Sequence, residues 1–253
     1  MNELTVHDSW FKPKYKYFDI TRISKKPSQK KLYLGVELEF NFGNEFERTN
    51  TLTHWKILKP WWYAVEDHSL DQWGYELVTH PMSYEWFLRH RYEFIEMLAV
   101  MKENDPRIDN DCGLHVHLSR WSFTKAHLLR FQKFIYGYPQ FIRKLSKRPL
   151  YVLDKWATLD ETETEIERKT KLKMAQHNDE NKNVAVNLCH KNSIEVRIFK
   201  SSTNPKNVFT AIEFCTAAWE YTKTRKKPTL AGFKVWSSVN KSKYPNFYYE
   251  FVE

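Results

Sequence analysis

Three short segments of this chain, LGVELEF (34–40), CGLHVHLS (112–119) and SIEVRIF (193–199), alternate apolar and ionisable residues with one shared period of two. That period belongs to a β-strand, whose successive side chains point to opposite faces of a sheet. In the first segment Leu34, Val36, Leu38 and Phe40 take one side, and Gly35, Glu37 and Glu39 the other. In the second, Leu114, Val116 and Leu118 oppose Gly113, His115 and His117; in the third, Ile194, Val196 and Ile198 oppose Glu195 and Arg197. The pattern predicts a sheet with one apolar face, covered by helices, and one face rich in carboxylates and imidazoles.

A half-solvated antiparallel sheet also alternates. Its wet face, however, favours long or β-branched surface residues such as Lys, Arg, Thr and Ser, and short carboxylates with imidazoles stand here instead. Residues two apart on a strand are about 6.5 Å apart, so Glu37 and Glu39 are spaced to serve neighbouring ions. Carboxylates crowded together raise one another's pKa at a cost that a divalent cation removes. Only six glycines occur, and Gly35, Gly74 and Gly113 each stand two residues before a candidate ligand, Glu37, Glu76 or His115. Glycine inside a strand marks a bend or a close approach. Carboxylate oxygens with one or two imidazoles suit Mg²⁺ or Mn²⁺ better than a structural zinc. Hard ions with open positions usually serve phosphate chemistry, and Arg197 is placed either to clamp a phosphate oxygen or to pair with a neighbouring acid.

Around these strands the chain reads as one α+β domain over 1–253. A strand over 32–42 is followed by the polar turn EDHSLDQWG (66–74) and the strand YELVT (75–79). A single helix is expected over 83–104, from its apolar spacing. Helices follow from about Phe123 to Tyr136 and after Pro139. VAVNL (184–188) and SIEVRIF form a hairpin across CHKN. Asn204 as cap and Pro205 at the first helical position announce a further helix through Tyr221. The segment 160–182 is highly charged and reads as an exposed insertion or lid.

The net charge of +9 is carried by the two ends, at +5 for residues 1–31 and +5 for 223–253, whereas 32–222 carries −1. These basic ends, including the extension 1–31, read as solvated, so nucleic acid is not the expected partner. No apolar run reaches the ~20 residues of a membrane span, and no signal-peptide core is evident. Three widely spaced cysteines (Cys112, Cys189, Cys215) point to reduced thiols and a cytoplasmic setting.

Taken together, GVELEF (35–40), EDHSLDQWGYELVTHP (66–81), CGLHVHLS and NVAVNLCHKNSIEVRIFKSST (183–203) resemble the amidoligase family. This family belongs to the carboxylate–amine ligase superfamily with glutamine synthetase. The resemblance implies a glutamine-synthetase-like catalytic fold, a strongly curved and mostly antiparallel sheet backed by helices, using ATP and two or more Mg²⁺ or Mn²⁺ ions. By position, Glu37, His115 and Glu195 match the group holding the metal nearest the ATP phosphates. Glu39 and Glu76 match ligands of the second metal. His117 would contact an ATP phosphate, Arg197 would stabilise the transferred phosphoryl group, and Asp67, in the family's D-x-S element, would orient the amine or help take its proton; in the chemistry expected here a nearby acid, Asp67 or Glu66, takes that proton. Where the family commonly reads E-F-R, this chain has Val196 between Glu195 and Arg197. The family modifies peptides, proteins or cell-wall components, often in phage or mobile-element neighbourhoods, so a carboxylate and an amine of those classes are the expected substrates. The rival expectations are a metal-dependent phosphodiesterase or nuclease, and a non-catalytic binding module of the same fold.

Overall fold

The computed structural model describes residues 31–58, 62–173 and 182–253. The basic N-terminal stretch, apart from Lys31, lies outside these residues, as do positions 59–61 and positions 174–181 of the charged segment. The strands are β1 (Leu34–Phe40), β2 (Trp62–Val65), β3 (Tyr75–Thr79), β4 (Gly113–Ser119), β5 (Val186–Asn187) and β6 (Ser193–Lys200). They form one sheet in the order β2-β3-β1-β4-β6-β5, and every pair is antiparallel. The fold is therefore α+β, with a six-stranded antiparallel sheet backed by helices.

Strand order brings the chemistry together. E-x-E on β1, H-x-H on β4 and E-x-R on β6 stand on three adjacent strands, and β3 adds Glu76 on the other flank of β1. The ladder sets Glu37 opposite His115, Glu39 opposite Glu76, and His117 opposite Glu195. Between Leu114 and Val116 the β4–β6 register slips by one residue. That irregularity changes the phase of β6, so Phe199 reaches the apolar side and its ring lies 6.2 Å from that of Phe214.

The helices are α1 (Glu45–Leu58), α2 (Tyr84–Arg89), α3 (Arg91–Glu103), α4 (Lys125–Tyr136), α5 (Pro139–Ser146), α6 (Leu150–Trp156), α7 (Glu163–Lys173), α8 (Pro205–Thr224), α9 (Leu230–Val239) and α10 (Pro245–Phe251). Helix α8 is the centre of this layer, in contact with β4, α3, α4, α9 and α10. Its start is built as the sequence predicts: the Asn204 side chain accepts from the Lys206 amide, and Pro205 occupies the first turn. Leu34, Val36, Leu38 and Phe40 of β1, with Leu114, Val116 and Leu118 of β4, are fully buried among these helices. Each such side chain contributes about 1.5–3 kcal/mol on burial, enough to fix which face of the sheet turns inward.

One helix expected over 83–104 is two. His90 leaves the helical region (φ −106°, ψ 21°), its Nδ1 lies 2.8 Å from the Trp86 carbonyl, and its ring stacks on Trp86. The described part of the charged segment is α7, docked on α4. Ile166 is buried, Gln132 donates to Thr170 at 2.6 Å, and Lys133 pairs with Glu163 and Glu167. Among the described residues, no helix is long and apolar enough to cross a membrane.

Candidate metal centre

His115 stands at the hub of the polar face. Its ring is 2% exposed; Nδ1 lies 3.1 Å from Glu195 Oε1 and 3.5 Å from Glu37 Oε2, and Nε2 lies 3.5 Å from Glu39 Oε1. One imidazole from β4 thus touches carboxylates from β1 and β6. Glu37 uses its other oxygen on His117, whose Nε2 is 3.0 Å away. Glu195 is nearly inaccessible and divides its oxygens: Oε1 accepts from Arg197 at 2.5 Å, while Oε2 accepts from Asn187 at 2.6 Å and meets His190 Nε2 at 2.8 Å.

The second carboxylate of E-x-E lies further along the trough. Glu39 accepts from the Gly113 amide through Oε2. A methyl group added at Gly113 would collide with the Arg148 guanidinium and the His115 ring and force them to shift, so glycine is favoured here by close approach rather than by its dihedral angles. Glu76 and Asp67 join Glu39, one oxygen from each lying within 4.8 Å of the others. Glu76 forms a second such group with Glu37 and His115. Asp67 is oriented locally, because Ser69 donates its amide (2.9 Å) and its hydroxyl (2.7 Å) to the two carboxylate oxygens. The turn that carries it is tied to the end of β1 by Asn41, which accepts from the Asp71 amide at 3.0 Å.

Of the remaining candidates, Glu66 is exposed and lies 3.5 Å from Arg48. Arg197 is paired with Glu195 in this arrangement, the neighbouring-acid alternative that its sequence context allowed. The periodic motifs did not single out His190, Asn187 or Arg148. His190 lies in the β5–β6 turn, where no alternation marks it; the available signal was its place in a tight hairpin five residues before Glu195. Arg148 is buried beyond α5 and donates to the Arg197 and Asp111 carbonyls, both at 3.3 Å.

Charge balance in the trough is strained. Burial, followed by the neighbouring Glu37 and Glu39 carboxylates, pushes the Glu76 pKa up to about 9. Burial opposes a charge on His115, yet Glu39 first and then Glu195 and Glu37 outweigh it and raise the imidazole to about 10. Burial likewise opposes charge on Glu37, but His117 and His115 hold it below the ordinary carboxylate range. Protons on the imidazoles thus provide counter-charge that a cation could replace.

The donor set fits hard divalent cations. His115 Nδ1 and His117 Nε2 are buried without a hydrogen-bond partner although carboxylate oxygens lie close by, as expected of ligand atoms converging on an ion. Carboxylates outnumber imidazoles around His115, which suits Mg²⁺ or Mn²⁺. Beside this group a cleft of about 320 Å³ opens, lined by Glu37, His117, His190, Tyr63, Trp121 and Lys191 among others. No known family matches the chain, and neither does any curated protein.

Proposed function

We propose that this chain is an ATP-dependent carboxylate–amine ligase of the amidoligase kind, its sheet curved in the glutamine-synthetase manner and its reaction passing through an acyl phosphate. The observation that carries the reading is the hub at His115, where carboxylates from two neighbouring strands meet one buried imidazole, Nδ1 lying 3.1 Å from Glu195 and 3.5 Å from Glu37. The resemblance of its four motifs, in order, to that family supports it, as does the cleft of about 320 Å³ that shares Glu37 and His117 with the hub.

Glu37, His115 and Glu195 would hold one Mg²⁺ or Mn²⁺, and Glu39 with Glu76 a second. Bound there, the ions supply charge neutralisation for a polyphosphate and polarise its oxygens. The chain's own groups do the rest. His117, oriented by a 2.9 Å contact from Nδ1 to Ser193 Oγ, presents Nε2 towards the cleft side of the trough as a donor to a phosphate oxygen. Arg197 exchanges its bond to Glu195 for the transferred phosphoryl oxygens. The substrate carboxylate attacks the γ-phosphorus of ATP and ADP leaves. Asp67, held by Ser69, takes a proton from the amine, which attacks the acyl carbonyl and expels phosphate. Glu66 is the less suited base, because Arg48 occupies it.

The test is ADP release by the full chain with Mn²⁺ and ATP against pools of amino acids, peptides and cell-wall fragments. Amine-dependent release that disappears in Glu37→Ala supports the reading. Mn²⁺-dependent cleavage of DNA or RNA without ATP would replace it with the phosphodiesterase alternative.

A further inference from the structure

We infer that His117, His190 and Glu195 form a separate site for a borderline transition metal of the Zn²⁺ or Co²⁺ class, at the mouth of the cleft beside the carboxylate-rich trough. One ligand atom from each lies within 4.8 Å of the others. Two imidazoles with one carboxylate make a softer set than the Glu37–Glu76–His115 or Glu39–Asp67–Glu76 groups. Imidazole-rich sets favour Zn²⁺, Co²⁺ or Fe²⁺ over Mg²⁺, which wants oxygen.

The orientation of each group fits ligation. His117 has Nδ1 engaged by Ser193 Oγ at 2.9 Å, and its buried Nε2 faces Glu37 Oε1 at 3.0 Å without a well-aligned hydrogen bond. A partner on the far ring nitrogen is the usual way a metal-binding histidine is aimed. Glu195 offers Oε2 to this side, 2.8 Å from His190 Nε2, while Oε1 serves His115. The two imidazole rings meet edge to face with centroids 5.0 Å apart. The side chain of His190 is 46% exposed, so an ion can enter from the cleft.

The turn carrying His190 is held rather than loose. Arg120 donates to the His190 carbonyl at 2.8 Å and to the Leu188 carbonyl at 2.5 Å, and its own amide donates to Asn192 at 2.9 Å. Three protein ligands on one side leave the positions towards the cleft open to an exogenous ligand. The site shares His117 and Glu195 with the ligase reading: Glu195 serves the two centres through its two oxygens, and His117 Nε2 gives up its phosphate contact when this ion is bound.

Co²⁺ added to the full chain in excess Mg²⁺ tests this, followed by visible d–d absorption and calorimetry. Tight binding of Co²⁺ that Mg²⁺ does not displace is expected. It should weaken at least tenfold in His190→Gln and stay within about twofold in Glu76→Gln, since removing even supporting groups of a metal site typically costs 10–100-fold. His190→Cys is expected to restore binding and add a sulfur-to-cobalt charge-transfer band, which a merely structural His190 would not produce. Co²⁺ that Mg²⁺ removes, unchanged affinity in His190→Gln, or tight binding without the sulfur band in His190→Cys would each overturn the site.

Discussion

Glu39 and Glu76 stand directly opposite one another in the β1–β3 ladder, two carboxylates on neighbouring strands of one sheet face. Like charges at such a position are destabilising. The stress falls on Glu76, whose pKa is pushed to about 9 by burial and then by Glu37 and Glu39.

A pH dependence follows. The folded, metal-free chain keeps protons on Glu76 and on His115, raised to about 10, that the unfolded chain releases nearer their ordinary values of 4.5 and 6.5. The folded state therefore binds more protons, and this contribution to stability falls as pH rises, through Glu76 from 4.5 to about 9 and through His115 from 6.5 to about 10. Melting temperatures of the metal-free protein should decline as pH rises from 6.5 towards 10, with a shallower decline in Glu76→Gln. Added Mn²⁺ should bind more tightly as pH rises, because it competes with those protons.

His127 supplies the opposite acid-side signal. Its Nε2 faces the Trp219 carbonyl at 3.0 Å and Thr222 at 3.1 Å, and burial lowers its pKa to about 4. Because the folded value is below 6.5, the unfolded chain takes up the proton first as pH falls. Stability is lost between pH 6.5 and 4, by at most about 1.4 kcal/mol per pH unit. Chemical denaturation at pH 7.5 and 5 should show a smaller difference in His127→Gln than in the parent.

Glu213 is a buried carboxylate in the middle of α8 that accepts from the Phe247 amide at 2.9 Å and from Asn246 at 2.6 Å. It satisfies orphan donors at the start of α10. Glu213→Ala should cost about 2–3 kcal/mol, with amide exchange rising first in residues 245–251.

Gly113→Ala places a methyl group into Arg148 and His115. Overpacking of this kind costs about 1–3 kcal/mol. Mn²⁺ affinity should drop at least tenfold in calorimetry, because His115 can no longer hold its place, while the far-ultraviolet circular dichroism is retained.

What was legible in the sequence was whatever repeats with period two. The phase shared by Glu37, Glu39, His115, His117 and Glu195 could be read because strand geometry assigns each residue a face without knowledge of its partners. The β1, β4 and β6 segments were found for the same reason, β3 as the short run YELVT after a polar turn, and α8 through its Asn204–Pro205 start. Elements without a strong period escaped. Helix α1 begins among polar residues, β2 is four residues long, and the aromatic ending that contains α10 has no helical spacing to announce it. The break at His90 is a side-chain-to-backbone contact that periodicity does not register. His190 and Arg148 reach the trough from a turn and from a buried position beyond α5, where only tertiary folding decides what a side chain faces.

The central claim is that separate strands deliver one cation-binding trough able to hold a triphosphate. Crystals grown with MnCl₂ and a non-hydrolysable ATP analogue, measured at the manganese edge, test it most directly. The account predicts anomalous peaks within ligation distance of Glu37, His115 and Glu195 and of Glu39 and Glu76, with the analogue's phosphates bridging them from the cleft. Nucleotide bound elsewhere, or a trough free of manganese at millimolar concentration, would contradict it.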